Sequence, residues 1–140
     1  MIEFPNERIP CRVFNRASDA SVAAASEIAE LIRLKAAKGQ MCVLGLVAGS
    51  TPVNVYDELV RMHRNGEVSF ANVTSFNLDE YFPMQPFELQ SVARFMHEHL
   101  FDHVDIQPSN VHIPDGAIPK ADVAEYCHQY EQQIRDCGGI

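Results

Sequence analysis

Two adjacent carboxylates, Asp79 and Glu80, follow directly on the apolar run Val73-Thr74-Ser75-Phe76-Asn77-Leu78, and Tyr81 comes next. A carboxylate held at a strand end can act as a base towards a ligand bound there. A second group, Ala48-Gly49-Ser50-Thr51-Pro52, follows another apolar run at 41–47 and opens a helical pattern. There Gly49 permits close backbone approach. Free N–H groups and the Ser50 and Thr51 hydroxyls can hold a phosphate at the positive end of a helix dipole. Thr51 suits the N-cap, and Pro52 the first helical position, which needs no N–H. Each group also has a plainer reading. The first can be a turn capped by Asp79 with Glu80 solvated. The second can be an ordinary strand-to-helix turn, since it is neither a P-loop nor a G-x-G-x-x-G fingerprint.

A third cluster is Phe95-Met96-His97-Glu98-His99-Leu100-Phe101-Asp102-His103. His99 and His103 are four apart and share a helix face, while His97 points elsewhere. A zinc site needs further ligands that the sequence does not identify. The expectation is therefore no metal, with these histidines solvated or flanking the core.

The elements that must position these groups alternate between strand and helix. Arg12-Val13-Phe14 reads as a short strand, and Ser18 as the cap of an Ala-rich helix that Gly39 ends. The continuous apolar run at 41–47 reads as a strand buried on both faces. Tyr56, Leu59, Val60 and His63 mark a second helix that stops at Gly66. After the strand at 73–78, a Pro-containing loop runs to about Gln90, and Ala93, Met96, Leu100 and Val104 mark a third helix. Val111-His112-Ile113 reads as a short strand closed by Pro114-Asp115-Gly116. A last helix carries Val123, Cys127, Tyr130, Ile134 and Cys137 on one face and stops at Gly138-Gly139.

This alternation predicts an α/β fold, a doubly wound parallel sheet with helices on both faces and right-handed connections. Loops leaving parallel strands at their carboxyl ends share one edge, where open α/β sheets bind ligands. The edge therefore brings a phosphate cradle and a base together. The pattern stops at Ile140, where another strand is due, so the domain reads as truncated.

The 140 residues suit one domain, with 46% hydrophobic and 21% charged residues. A net charge of −8 argues against a nucleic-acid surface and against docking on an anionic membrane. No run is long and apolar enough for a transmembrane helix, and Met1 to Arg8 lack the apolar core of a signal peptide. Cys11, Cys42, Cys127 and Cys137 form no Cys-x-x-Cys pair. Buried free thiols, notably Cys42 and Cys127, and a reduced cytosolic setting are expected.

Several stretches in one order resemble the glucosamine-6-phosphate deaminase (isomerase) family. They are Leu44-Gly45-Leu46 with Gly49-Ser50-Thr51-Pro52, Val68-Ser69-Phe70, and Phe76-Asn77-Leu78-Asp79-Glu80-Tyr81. Then come Ser91, Phe95-Met96-His97, Phe101-Asp102-His103-Val104-Asp105-Ile106 and Tyr130-Glu131. The resemblance implies a cytoplasmic enzyme that converts glucosamine 6-phosphate and water to fructose 6-phosphate and ammonia, with no metal or organic cofactor. In it Asp79 matches the general base. Gly49, Ser50 and Thr51 match part of the phosphate cradle, with Glu80 and Tyr81 as supporting candidates. Ala48 stands where the family usually has Thr, and Val92-Ala93 where aromatic residues are common.

The family's Asp-Gly-His motif and a later Glu have no match in these 140 residues. The chain thus reads as the N-terminal portion, residues 1–140, of a single catalytic domain, and alone it is expected to be inactive. Two other readings stay open. One is a 6-phosphogluconolactonase-like hydrolase, which tends to show Asp-Glu-Arg where this chain has Asp79-Glu80-Tyr81. The other is a non-catalytic sugar-phosphate-binding domain. The partner implied is a small amino-sugar phosphate, and homo-oligomerisation stays open.

Overall fold

In the computed structural model, which describes residues 10–140, three strands form one parallel sheet in the order β1 (Cys42–Leu46), β2 (Val73–Asn77), β3 (Val111–His112). The register pairs Leu46 with Asn77 and Phe76 with His112, so all three strands end on the same edge. Helices α1 (Ala17–Ala37), α2 (Val53–Arg64), α3 (Val92–His99) and α4 (Val123–Asp136) complete the fold. The Met1 to Arg8 stretch read for a signal peptide lies outside the described residues.

The strand order explains the two layers. Stepping from β1 to β2 to β3 in one direction with right-handed crossovers puts α2 and α3 on the same face. Side chains of one strand parity point there: Cys42, Leu44 and Leu46 from β1, and Val73 from β2. They pack with Ala25, Ala29 and Ile32 of α1, Leu59 of α2 and Met96 of α3 in one buried cluster. Alanines at 25 and 29, one turn apart, let α1 lie close. Each fully buried Leu, Ile or Met contributes about 1.5–3 kcal/mol. The opposite parity faces α4, where Phe76 stacks on His112 at 4.4 Å and meets the edge of Tyr130 at 5.7 Å. Burial disfavours the imidazolium and lowers the His112 pKa. Helices therefore cover both faces of a parallel sheet, as the alternation predicts.

Several local expectations change. Residues 12–14 form no strand. Val13 and Phe14 stay exposed: Arg12 is tied to α1 through Glu27, and the segment does not pair with the outer edge of β1, which has no partner strand among the described residues. The first helix begins at Ala17, ahead of Ser18. Its cap position is Arg16, whose guanidinium grips Asp19 at 2.7 and 3.1 Å. The strand buried on both faces is β2, the central one, and not β1. In β1 Val43 is half-buried and Gly45 exposed on the α4 side. A Cβ on Gly45 would lie 3.2 Å from Ile140. The third helix breaks at Leu100, where φ of −139° leads into a 3-10 turn, Phe101–His103. No residue of α4 is buried, and Cys11, Cys127 and Cys137 are exposed. Only Cys42 fits the expected buried thiol, and burial pushes its pKa up. The apolar stripe of α4 is real as a pattern but only half-buried, and Tyr130 meets the sheet from it.

Candidate active site

The exit of β1 is held from below. Tyr56 of α2 donates its hydroxyl to the Val47 carbonyl at 2.5 Å and accepts from the Val47 N–H at 3.3 Å. Burial raises the phenol's pKa, which keeps it a neutral donor. Beyond this anchor the chain turns at Gly49, whose φ of +117° suits glycine alone. The helix then starts at Val53, with Pro52 at the cap position. Thr51 is thus not the N-cap expected from the sequence. Pro52 already has helical dihedrals, and its carbonyl accepts from Val55 and Tyr56. Among the described residues no internal hydrogen bond involves the exposed Ser50 and Thr51 hydroxyls.

The exit of β2 is built differently. The Leu78 N–H donates to the Leu46 carbonyl at 2.9 Å, carrying the ladder one residue past the strand. Tyr130 donates to the Asn77 carbonyl at 2.8 Å and to the His112 carbonyl at 3.1 Å, which ties the ends of β2 and β3. Burial raises its pKa, so it too stays protonated. Asp79 is exposed, and no hydrogen bond to its carboxylate occurs among the described residues. Glu80 is its opposite. One oxygen accepts from Tyr81 N and Val92 N, both at 2.9 Å. The other accepts from Ser91 Oγ at 2.9 Å and Ala93 N at 3.0 Å. Burial pushes the Glu80 pKa up, but these four donors outweigh it and hold the carboxyl below the usual value. The expectation that Asp79 caps a turn while Glu80 is solvated is reversed.

A cleft of about 510 Å³ lies between the two exits. Ala48 and Gly49 line one side, Asp79 and Tyr81 another, and Ser91 and Val92 a third. The size falls within the range of about 300–1,000 Å³ usual for small-molecule sites. Of the expected phosphate loop only Gly49 lines it, Ser50 and Thr51 lie beyond its wall, and neither Lys nor Arg lines it, so an anion there would rest on backbone N–H groups. A second cavity of about 270 Å³ lies on the α4 side of Asp79, walled by Leu78, Phe82, Ile118 and Tyr130. Asp79 and Tyr81 form the ridge between the two. Gly116 shapes this ridge from behind: a Cβ there would fall 2.9 Å from Met84 Cβ and clash with the Tyr81 carbonyl.

The histidine cluster disperses. His97 pairs with Asp102 at 2.8 Å, His103 meets the Glu98 carbonyl at 2.8 Å, and His99 lies against the Phe95 ring. Among the described residues no three candidate ligands converge on a metal position. Another matched stretch is scaffolding: Asp105 accepts from Ser69 Oγ at 2.6 Å and Phe70 N at 2.5 Å. Tyr56 and the capping role of Glu80 escape sequence reading. Tyr56 sits in an apolar helical stripe, and Glu80 caps a helix that starts twelve residues later, outside any local capping pattern.

A parallel sheet whose β1 and β2 exits open on one cleft defines an α/β domain with a cavity at the carboxyl edge of its sheet, the place where open α/β sheets bind ligands. The chain belongs to the family described as glucosamine-6-phosphate isomerases/6-phosphogluconolactonase, whose model matches residues 15–139. It is 50% identical over 98 residues to glucosamine-6-phosphate deaminase 2 of Bacillus subtilis, covering 70% of this chain and 39% of that protein. A solved monomeric glucosamine-6-phosphate deaminase matches with a TM-score of 0.83 and 33% identity, over 90% of this chain and 50% of that one. A 6-phosphogluconolactonase from Thermotoga maritima gives a TM-score of 0.68 and 27% identity, over 89% and 52%. The chain thus spans about half the length, or less, of the proteins it matches.

Proposed function

We propose that the protein is a glucosamine-6-phosphate deaminase, with Asp79 as the base that moves a proton between C2 and C1 of the opened sugar. The observation that carries this reading is the shared cleft: Gly49 and the unpartnered Asp79 line one cavity at the sheet's carboxyl edge. The phosphate rests on the backbone N–H groups of the turn and the Ser50 and Thr51 hydroxyls, at the head of α2. The sugar chain then runs towards Asp79. With the C1 carbonyl beside it, the C2 proton is acidic enough for a carboxylate to remove. The resulting enolamine takes the proton back at C1, and water releases ammonia from the C2 imine to give fructose 6-phosphate. Tyr81 lines the same cleft and supports the bound chain.

The deaminase reading is favoured over lactone hydrolysis by the solved deaminase, with a TM-score of 0.83 and 33% identity, against 0.68 and 27% for the lactonase, and by Tyr81 after the acid pair. The half-length matches support reading residues 1–140 as the N-terminal portion of one catalytic domain. Free cysteines fit a cytoplasmic setting. No helix among the described residues is long and apolar enough to cross a membrane.

The test is turnover by the full-length protein. Ammonia and fructose 6-phosphate should form in equal amounts from glucosamine 6-phosphate. Hydrolysis of 6-phosphogluconolactone without that reaction would transfer the assignment to the lactonases.

A further inference from the structure

We propose that Glu80 is a positioning residue: an internal anion that fills the N-terminus of α3 and thereby fixes Asp79 at the mouth of the cleft. The inference rests on the reading of Asp79 as the base. A helix start leaves N–H groups without partners, and a carboxylate placed there is favoured by charge and by hydrogen bonding. Here the carboxylate arrives from the exit of β2. Its two oxygens take Val92 N and Ala93 N from α3, Ser91 Oγ from the cap, and Tyr81 N from its own turn. A carboxylate has about four acceptor positions, and all four are used.

Three consequences come from this geometry. Glu80 has no lone pair left to accept a proton from substrate, so the chemistry of the acid pair falls to Asp79 alone. The α3 N–H groups are already occupied by an anion, so the substrate phosphate is directed to the β1 exit, where Ser50 and Thr51 are unpartnered. Finally, the clamp joins two walls of one cleft. Asp79 and Tyr81 flank Glu80 on one wall, and Ser91 and Val92 lie on the other. The loop between them carries exposed Phe87 and Leu89 and has little core of its own; the clamp joins its two ends, and the Met84 N–H donates to the Gly116 carbonyl at 2.8 Å and tethers its middle.

Glu80→Gln tests this with little change in size. The amide nitrogen that replaces one oxygen can still meet the Ser91 hydroxyl, which turns to accept. Against the Ala93 N–H, donor would meet donor. In the 140-residue chain, hydrogen exchange at Val92 and Ala93 should accelerate at least about tenfold. The Asp79 backbone order parameter should drop from about 0.85 towards about 0.6, with α2 unchanged. In the full-length protein, kcat for the amino-sugar phosphate should fall at least about tenfold with KM within about twofold, because the phosphate loop is untouched. Glu80→Asp keeps the charge but is one methylene short, and should lie between wild type and Glu80→Gln on every readout; it serves if the Gln variant does not fold. Unchanged exchange at Val92 and Ala93, or an Asp79 as ordered as in wild type, overturns the proposal. So does a rise in KM with kcat preserved. Absence of turnover in the wild-type enzyme would remove the deaminase reading alone, since exchange and order decide the clamp without substrate.

Discussion

At the exit of β1 the anchoring group is a phenol, and at the exit of β2 it is a carboxylate. Tyr56 holds Val47 through both its N–H and its carbonyl, and the hydroxyls just beyond, on Ser50 and Thr51, are left without internal partners. Glu80 takes four donors, and Asp79 just before it takes none among the described residues. In both places one side chain is used up in holding the backbone while its neighbours remain open. A group saturated by internal donors cannot also serve a substrate, and a group held by nothing needs a fixed neighbour to have a fixed position. Adjacent residues of like charge can therefore have opposite roles, and hydrogen-bond partners distinguish them where residue type does not.

The sharpest way to break this comparison is to change the open member of the acid pair. Asp79→Asn in the full-length protein should lower kcat by about 10²–10⁴, the usual worth of a general base, with phosphate affinity retained. Changing an anchor should act differently. Tyr56→Phe removes the hydroxyl that satisfies Val47 and should destabilise the fold by about 1–3 kcal/mol in denaturant unfolding. It should also raise KM several-fold, with kcat nearly kept, because the loop it frees is the phosphate loop.

Asp105 offers a weaker contrast far from the cleft. Partial burial pushes its carboxyl up, but Ser69, Phe70 and nearby His63 together outweigh this and hold it below the usual value. A depressed folded pKa means stability that is present above the unfolded value of 3.8 and lost as pH falls through the folded one. Asp105→Asn should flatten the acid limb of stability below about pH 4 by at most about one proton's slope, with turnover unaffected. Smallest of all is the exposed His97–Asp102 pair. His97→Ala should shift stability by less than about 1 kcal/mol, and metal addition should leave the melting temperature unmoved.

Where an apolar pattern had a partner to bury it, the sequence was readable. The runs at 42–46 and 73–77 became strands, and Gly39 and Gly66, both with positive φ, stopped the helices as expected. Patterns failed where the partner was missing. Val13 and Phe14 are apolar but stay unpaired while Arg12 holds the segment to α1, and Cys127 lies on a stripe of α4 that little covers. Thr51 has the chemistry of a cap, yet among the described residues its hydroxyl accepts no helix N–H, and the first helical carbonyl is that of Pro52. Asp79 and the turn at Gly49 could be placed on one edge from strand direction alone. The division between Asp79 and Glu80 could not, because the donors that saturate Glu80 come mostly from residues 91–93, set beside it only by the packing of α3.

Loss of turnover has many causes, so the central claim is tested more directly by the proton itself. Glucosamine 6-phosphate incubated in D₂O with the full-length protein should gain deuterium at C2, read by proton NMR as loss of the C2–H signal relative to the C1–H signal of the remaining substrate. Asp79→Asn should slow that exchange by about 10²–10⁴ while still binding the sugar phosphate. Exchange in the variant at the wild-type rate would contradict the account and remove Asp79 from the role of base.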